Sequence, residues 1–386
     1  MADERDHEEP PMAAPGVRGR RAVAALGLAA AAVLVGAQLA NPGGARVLGQ
    51  AVGATPSAVA GTESGAAAAT LDPVLDPTMD PTAGPTLNPT PPPQVALGAF
   101  IPGASSDPAK IDAYARLVGR MPAVVMWYQR WEAPWNDFDP RTPNAILARG
   151  AMPMISWEPQ NVATTDAAWS LASIVDGAHD AYIRRWTAAV AAWGRPIYVR
   201  PMFEMNGWWA PWGVEVNGNS ASAYVAAWRH IVDIARSEGA TNIRWVWCPN
   251  VDNDGLGVPF ASLYPGDAYV DWVGLDGFNR GTSWSSTSWV TLERIFTVSI
   301  RHLREVSGKP LLIGETGSSE VGGDKAAWIE SSFARIPEDL PGVRAVIWFD
   351  KLETEVGIDW RVNSSAASLA AFRSVATSPA FSGTLP

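Results

Sequence analysis

The chain of 386 residues has a single cysteine, Cys248, which excludes an internal disulfide framework. Cys248 lies in the apolar run Trp245-Val-Trp-Cys-Pro-Asn250 and is expected as a small buried hydrophobe. Histidine is scarce too: His7 is in the amino-terminal tail, and His179, His230 and His302 fall inside helical patterns. No histidine pair is therefore expected at a site, which argues against a zinc centre and against a Ser-His-Asp or Cys-His nucleophile. Neither a metal nor an organic cofactor is expected. Basic charge is also short. Lys and Arg number 29 against 39 Asp and Glu, for a formal net charge of −10, and no basic patch interleaves with aromatics, so a nucleic-acid partner is not expected. No Gly-rich phosphate loop follows any apolar run, which counts against a nucleotide-binding sheet.

Apolar and aromatic material, in contrast, is plentiful. Residues 22–40 form an uncharged alanine-rich run preceded by Arg18, Arg20 and Arg21. It is long enough for a transmembrane anchor and also fits a signal peptide, with Val35-Gly-Ala37 as a small-residue cleavage site. The arginines predict an amino end in the cytoplasm and the remainder outside it, either anchored by this helix or secreted. Residues 41–94 are low in complexity, with near-repeats such as Leu75-Asp-Pro-Thr and Met79-Asp-Pro-Thr. Frequent proline and little bulky apolar material predict a disordered, extended tether.

From Val95 the pattern is regular. Eight short apolar runs begin at Ala96, Ala123, Met152, Ile197, Ile243, Val270, Pro310 and Val343. Near-continuous rather than alternating apolar character predicts strands buried on both faces, as in a parallel sheet. Helices are expected between them, over 110–118, 180–193, 220–238, 288–306, 324–336 and 365–372. Those after the second and fifth strands are short and poorly periodic. Eight such units over roughly 290 residues have the rhythm of a (β/α)8 TIM barrel, an α/β fold; an open doubly wound sheet is the alternative.

In a barrel the chemistry sits at the carboxyl ends of the strands. Those ends hold carboxylates and aromatics: Glu158, Glu204, Asp276, Glu315 and Asp350, among tryptophans that all follow residue 126. Two carboxylates on facing strands can hydrolyse a glycosidic bond. One protonates the leaving oxygen, and the other attacks the anomeric carbon or activates water. Glu204 and Glu315 form the best pair, with Glu158, Asp276 and Asp350 as competitors whose ordinary role would be to tie down a loop. Tryptophans near strand ends can offer ring faces to a sugar.

The segment Arg200-Pro-Met-Phe-Glu-Met-Asn-Gly-Trp-Trp-Ala-Pro-Trp212 resembles the strand-four motif of glycoside hydrolase family 26, the β-mannanase-like retaining glycosidases of clan A. Leu312-Ile-Gly-Glu-Thr-Gly317 is similar to its strand-seven segment, and the runs at Trp245 and Asp271 to its fifth and sixth strands. The resemblance implies Glu204 as acid/base, Glu315 as nucleophile, and an endo-acting enzyme on a β-linked polysaccharide, β-1,4-mannan by default. The residues expected to line the substrate are Arg200, Asn206, Trp208, Trp212, Trp157, Trp247, Asn250, Phe278 and Trp348. Two departures stand out: Phe203 replaces the family's histidine before the acid/base, and Phe278 replaces its strand-six tyrosine. They motivate another β-glycan (mixed-linkage glucan, β-1,3-xylan or an envelope polysaccharide), or a tethered glycan-binding protein without catalysis. The expected organisation is a charged tail (1–21), an anchor or signal peptide (22–40), a linker (41–94) and a catalytic barrel (95–386), acting as a monomer and touching a membrane only through residues 22–40.

Overall fold

The structure is a computed structural model that describes residues 94–132, 136–160, 167–214, 216–251 and 257–386. The charged tail, the apolar run and the tether expected before residue 94 lie outside the described residues. Among the described residues no helix is long and apolar enough to cross a membrane.

Eight strands close into one parallel barrel: β1 (Ala96–Phe100), β2 (Val124–Arg130), β3 (Met152–Glu158), β4 (Ile197–Pro201), β5 (Ile243–Trp247), β6 (Trp272–Asp276), β7 (Leu311–Thr316) and β8 (Val343–Phe349). Closure pairs β8 with β1, from Ala96 opposite Ala345 to Phe100 opposite Phe349. Each strand coincides with one of the eight apolar runs to within two or three residues. A short hairpin, β9 (Leu352–Glu353) and β10 (Ile358–Asp359), follows β8.

The helices are α1 (Ala109–Val118), α2 (Arg141–Leu147), α3 (Leu171–Val175), α4 (Asp180–Trp193), α5 (Ala221–Ser237), α6 (Phe260–Leu263), α7 (Leu292–Val306), α8 (Lys325–Ser331), α9 (Ile336–Asp339) and α10 (Ala366–Ala376). Local chemistry sets their ends. Ser220, Thr291, Asp324 and Ser365 accept a backbone N–H at the starts of α5, α7, α8 and α10. Left-handed Gly119 and Gly194 end α1 and α4. The helix expected over 324–336 breaks instead, and Pro337 opens the separate α9, because proline starts a helix more readily than it continues one. As anticipated, α2 and α6, after the second and fifth strands, are short.

The pleat sorts side chains between two interiors. Tyr198 and Trp272 meet inside the barrel at 5.7 Å, and Ser156 reaches Met126 at 3.3 Å. Their neighbours face outward: Trp157 stacks on Trp186 of α4 at 4.2 Å, and Trp348 packs on Phe372 of α10 at 5.0 Å. The carboxyl-terminal segment covers the opposite end of the barrel, where Tyr198 Oη donates to the Pro386 carbonyl at 3.2 Å. The other end, at the carboxyl ends of the strands, is left to the polar residues.

Candidate active site

Arg200 is the hub below the barrel mouth. It points inward from β4, wholly buried, and its guanidinium bridges three strands. Nη1 donates to Asp276 at 2.6 Å, Nη2 donates to Glu315, and Nε and Nη2 donate to Ser156 Oγ at 3.2 and 2.8 Å. The guanidinium also lies 4.4 Å from the Phe203 ring centroid, a cation–π contact. A side chain so enclosed positions the carboxylates and does not line the substrate, which corrects one expectation.

Backbone irregularity aims both glutamates. After β4 the chain passes through two left-handed non-glycine residues, Met202 (φ 47°) and Glu204 (φ 51°), an arrangement that the surrounding fold must hold in place. The Glu204 N–H donates to the Cys248 carbonyl at 2.8 Å, fixing the turn to the end of β5. On β7 the register with β6 slips, so that Ile313 faces Leu275 but Glu315 faces Asp276. Gly314 is the extra residue of this bulge, which lets Glu315 face inward next to it. A Cβ on Gly314 would lie 2.5 Å from Asp276 Oδ1 and 2.7 Å from Arg200 Nη1, so only glycine leaves room for that ion pair.

The two glutamates have unlike surroundings. Glu204 Oε1 accepts from Asn250 Nδ2 at 2.6 Å and Oε2 from the Trp209 indole at 2.7 Å. Burial, reinforced by the nearby Asp276 and Glu315 carboxylates, pushes Glu204 well above the usual carboxylate range, against the Asn250 hydrogen bond and the Arg200 charge. Glu315 Oε1 is met by Arg200 and by Tyr128 Oη, the latter at 2.5 Å. Burial also raises Asp276 to about 8 despite Arg200. Glu158, inward at the end of β3, is raised to about 8 by burial; its Oε2 has no hydrogen-bond partner and lies 4.0 Å from Arg130 Nε. Asp350 accepts from the Val362 N–H at 2.7 Å and ties down the chain after β10. Among the described residues no group of three His, Cys, Asp or Glu side chains could hold a metal ion.

The other expected residues divide by pleat. Asn206 exchanges two 2.9 Å hydrogen bonds with the Asn250 backbone and so holds Asn250 against Glu204. Phe278 sits at the mouth against Trp360, 4.8 Å away. Trp208 is 44% exposed and can offer a ring to a ligand. Trp157, Trp247 and Trp348 cannot: each is fully buried, pointing outward against the helices, with Trp247 packed on Phe260 of α6. Trp212 is closed off as well; its indole donates to the Phe203 carbonyl at 2.6 Å and its ring supports Phe203. The first three of these corrections share one cause, since a strand-end position offers its side chain to the mouth only on the inward parity; Trp212 lies beyond β4 and is buried against Phe203. Tyr128 and Trp209 were not among the expected site residues. Tyr128 had a sequence signal, inward parity with Met126 at the end of β2; Trp209 had none beyond adjacency to Trp208. Cys248 is buried as expected, but among polar groups, its thiol donating to Asp276 Oδ1 at 3.2 Å.

A closed (β/α)8 barrel with two inward glutamates at the ends of its fourth and seventh strands defines a protein of the glycoside hydrolase class. Residues 171–329, which hold both glutamates, match the family model of Glycosyl hydrolase family 26, and the chain belongs to that family. It is 38% identical to Endoglucanase H of Acetivibrio thermocellus over 282 residues, 72% of this chain but 30% of that protein. The chain therefore spans under a third of the length of this relative. A mannan endo-1,4-beta-mannosidase A and B of Caldalkalibacillus mannanilyticus is 37% identical over 91 residues, 22% of this chain and 17% of that one. Among solved structures, a GH26 beta-mannanase from Bacteroides ovatus superposes with TM-score 0.57 at 19% identity, over 74% of this chain and 89% of the other, a likeness of fold.

Proposed function

We propose that the barrel is a retaining, endo-acting β-glycanase in which Glu204 is the acid/base and Glu315 the nucleophile. The observation that carries this reading is the unequal setting of the two glutamates. Glu204 is raised by burial and by neighbouring carboxylates, the setting of an acid that keeps its proton for a leaving group. Glu315 meets a guanidinium and a phenol, the setting of an attacking carboxylate. In the first step Glu315 attacks the anomeric carbon while Glu204 gives its proton to the departing glycosidic oxygen, leaving a glycosyl ester. In the second, Glu204 takes a proton from water, the water oxygen bonds to the anomeric carbon, the ester bond breaks and Glu315 is regenerated.

For the polymer, a β-glucan is favoured over β-1,4-mannan. Endoglucanase H aligns over 282 residues, whereas the mannosidase aligns over 91. Phe203 and Phe278 point the same way, since each puts a ring without a hydrogen-bonding group where mannanase-like relatives are expected to carry a polar one. Mannan is the second reading, supported by the strand-four segment. The test is reducing-sugar release from β-1,4-glucan, mixed-linkage glucan, β-1,4-mannan and β-1,3-xylan. A glucan is expected to be cleaved fastest, with Glu204→Ala and Glu315→Ala each slowing it at least about a thousandfold. Oligosaccharide binding with no cleavage of any polymer would instead support a glycan-binding protein. We also propose that the barrel works as a monomer and outside the cytoplasm, the location being supported by the apolar run at 22–40 and its preceding arginines. Cell fractionation and size-exclusion chromatography test it.

A further inference from the structure

An arc of aromatic rings runs round the barrel mouth. Trp212 meets Phe203 at 5.6 Å, Phe203 meets Tyr128 at 5.8 Å, Tyr128 meets Phe100 at 5.0 Å, Phe100 stacks on Phe349 at 5.0 Å, and Phe349 meets Phe278 at 5.7 Å. In the stretch from Phe203 to Phe278, Tyr128 alone carries a hydroxyl, and that hydroxyl donates to Glu315 at 2.5 Å. Packing does not call for the oxygen, since a phenylalanine would make the same ring contacts. We infer that Tyr128 is the positioning residue for the Glu315 nucleophile, supplied from β2 where β6 offers only Phe278. This rests on the reading of Glu315 as nucleophile.

The geometry gives the role a specific content. Tyr128 Oη and Arg200 Nη2 both donate to Glu315 Oε1, so neither occupies Oε2. Two donors on one oxygen, reached from β2 and β4, fix the plane of the carboxylate and leave Oε2 to form the bond to the anomeric carbon. Burial and the adjacent Glu315 charge push the phenol well above its ordinary value, so it stays protonated and acts as donor. Arg200 cannot do this alone, because its guanidinium is shared with Asp276 and Ser156.

The experiment compares wild type, Tyr128→Phe and Glu204→Ala on the cleaved polymer and on an activated aryl β-glycoside whose phenolate leaves without a proton. Tyr128→Phe should lose about tenfold to a hundredfold in kcat/KM on both substrates, the scale of one hydrogen bond to a charged group, with KM for the polymer within about twofold. Glu204→Ala should lose far more on the polymer than in the first, phenolate-releasing step on the aryl glycoside. Thermal unfolding of Tyr128→Phe is measured alongside, and its midpoint should match wild type within about 3 °C. A loss on the polymer alone, or wild-type rates on both substrates, overturns the inference while leaving the hydrolase reading intact. A wild type that cleaves nothing sinks both.

Discussion

Trp209, like Tyr128, meets one of the two glutamates directly although it was not among the expected site residues. Its indole N–H donates to Glu204 Oε2 at 2.7 Å. Such a donor favours the charged carboxylate, so removing it should raise Glu204 further. In the proposed mechanism Glu204 must be protonated to act as acid, so activity is expected to fall as pH rises through its pKa. Trp209→Phe is therefore expected to move the basic limb of the kcat/KM profile to higher pH and to lower kcat by about tenfold. A pH–rate series on the polymer checks both.

Glu158 supplies a second residue-scale prediction. Its value is raised from the ordinary 4.5 to about 8 by burial, and the folded protein holds a proton that the unfolded chain has released between those values. The stability contributed is thus full below about 4.5 and is lost as pH rises through about 8. Glu158→Gln should flatten this dependence and make the protein more stable than wild type at pH above 8 by about 1–3 kcal/mol. Thermal unfolding from pH 5 to 9 measures it; parallel curves for the two proteins would reject the assignment. That Glu158 Oε2 accepts no hydrogen bond and meets Arg130 at 4.0 Å was invisible in the sequence, which records a carboxylate at a strand end but not what meets each oxygen.

At the scale of the element, parity within a strand decides function. Ser156 and Glu158 of β3 face the barrel interior while Trp157 between them faces α4, where its indole donates to Tyr182 at 2.9 Å. Trp348 likewise donates to the Trp360 carbonyl at 2.9 Å and packs among Phe333, Trp328 and Phe372. Trp348→Phe should cost about 1–3 kcal/mol of stability through the lost hydrogen bond and the space left, with the polymer KM unchanged. Denaturant unfolding and steady-state kinetics on one preparation separate the two effects; a raised KM at unchanged stability would return Trp348 to the substrate. Parity could have been read from the apolar runs, by counting in twos from Ser156 or Arg200. The bulge at Gly314 and the left-handed turn through Met202 and Glu204 could not, because both depend on which neighbouring strand supplies the partner for each N–H.

At the scale of the whole molecule, the end of the barrel opposite the site is covered by the chain's own carboxyl-terminal segment. The Val95 N–H donates to the Ala380 carbonyl at 2.8 Å, Ala96 bridges Ser382, and Pro386 accepts from Tyr198. A protein of residues 94–386 alone is expected to unfold cooperatively, with a midpoint within a few degrees of the full chain. Circular dichroism on heating checks this, and a lower, broader transition would mean that residues before 94 contribute to the core. The rhythm of the barrel was legible because each strand is buried on two faces and so reads as an unbroken apolar run, while the intervening helices bury one stripe.

The sequence by itself determined the eight-strand repeat, the two glutamates at the ends of strands four and seven, and the scarcity of histidine and cysteine that left carboxylates as the candidate chemistry. These are local facts, set by composition and by periods of two and 3.6 residues. Only the tertiary structure decided that Arg200 joins Asp276 and Glu315, that Tyr128 reaches Glu315 across 187 residues of chain, and that Trp157, Trp247 and Trp348 belong to the core. Barrel closure brings these distant side chains together, and an ion pair or hydrogen bond depends on distance in space, which residue spacing along the chain does not record.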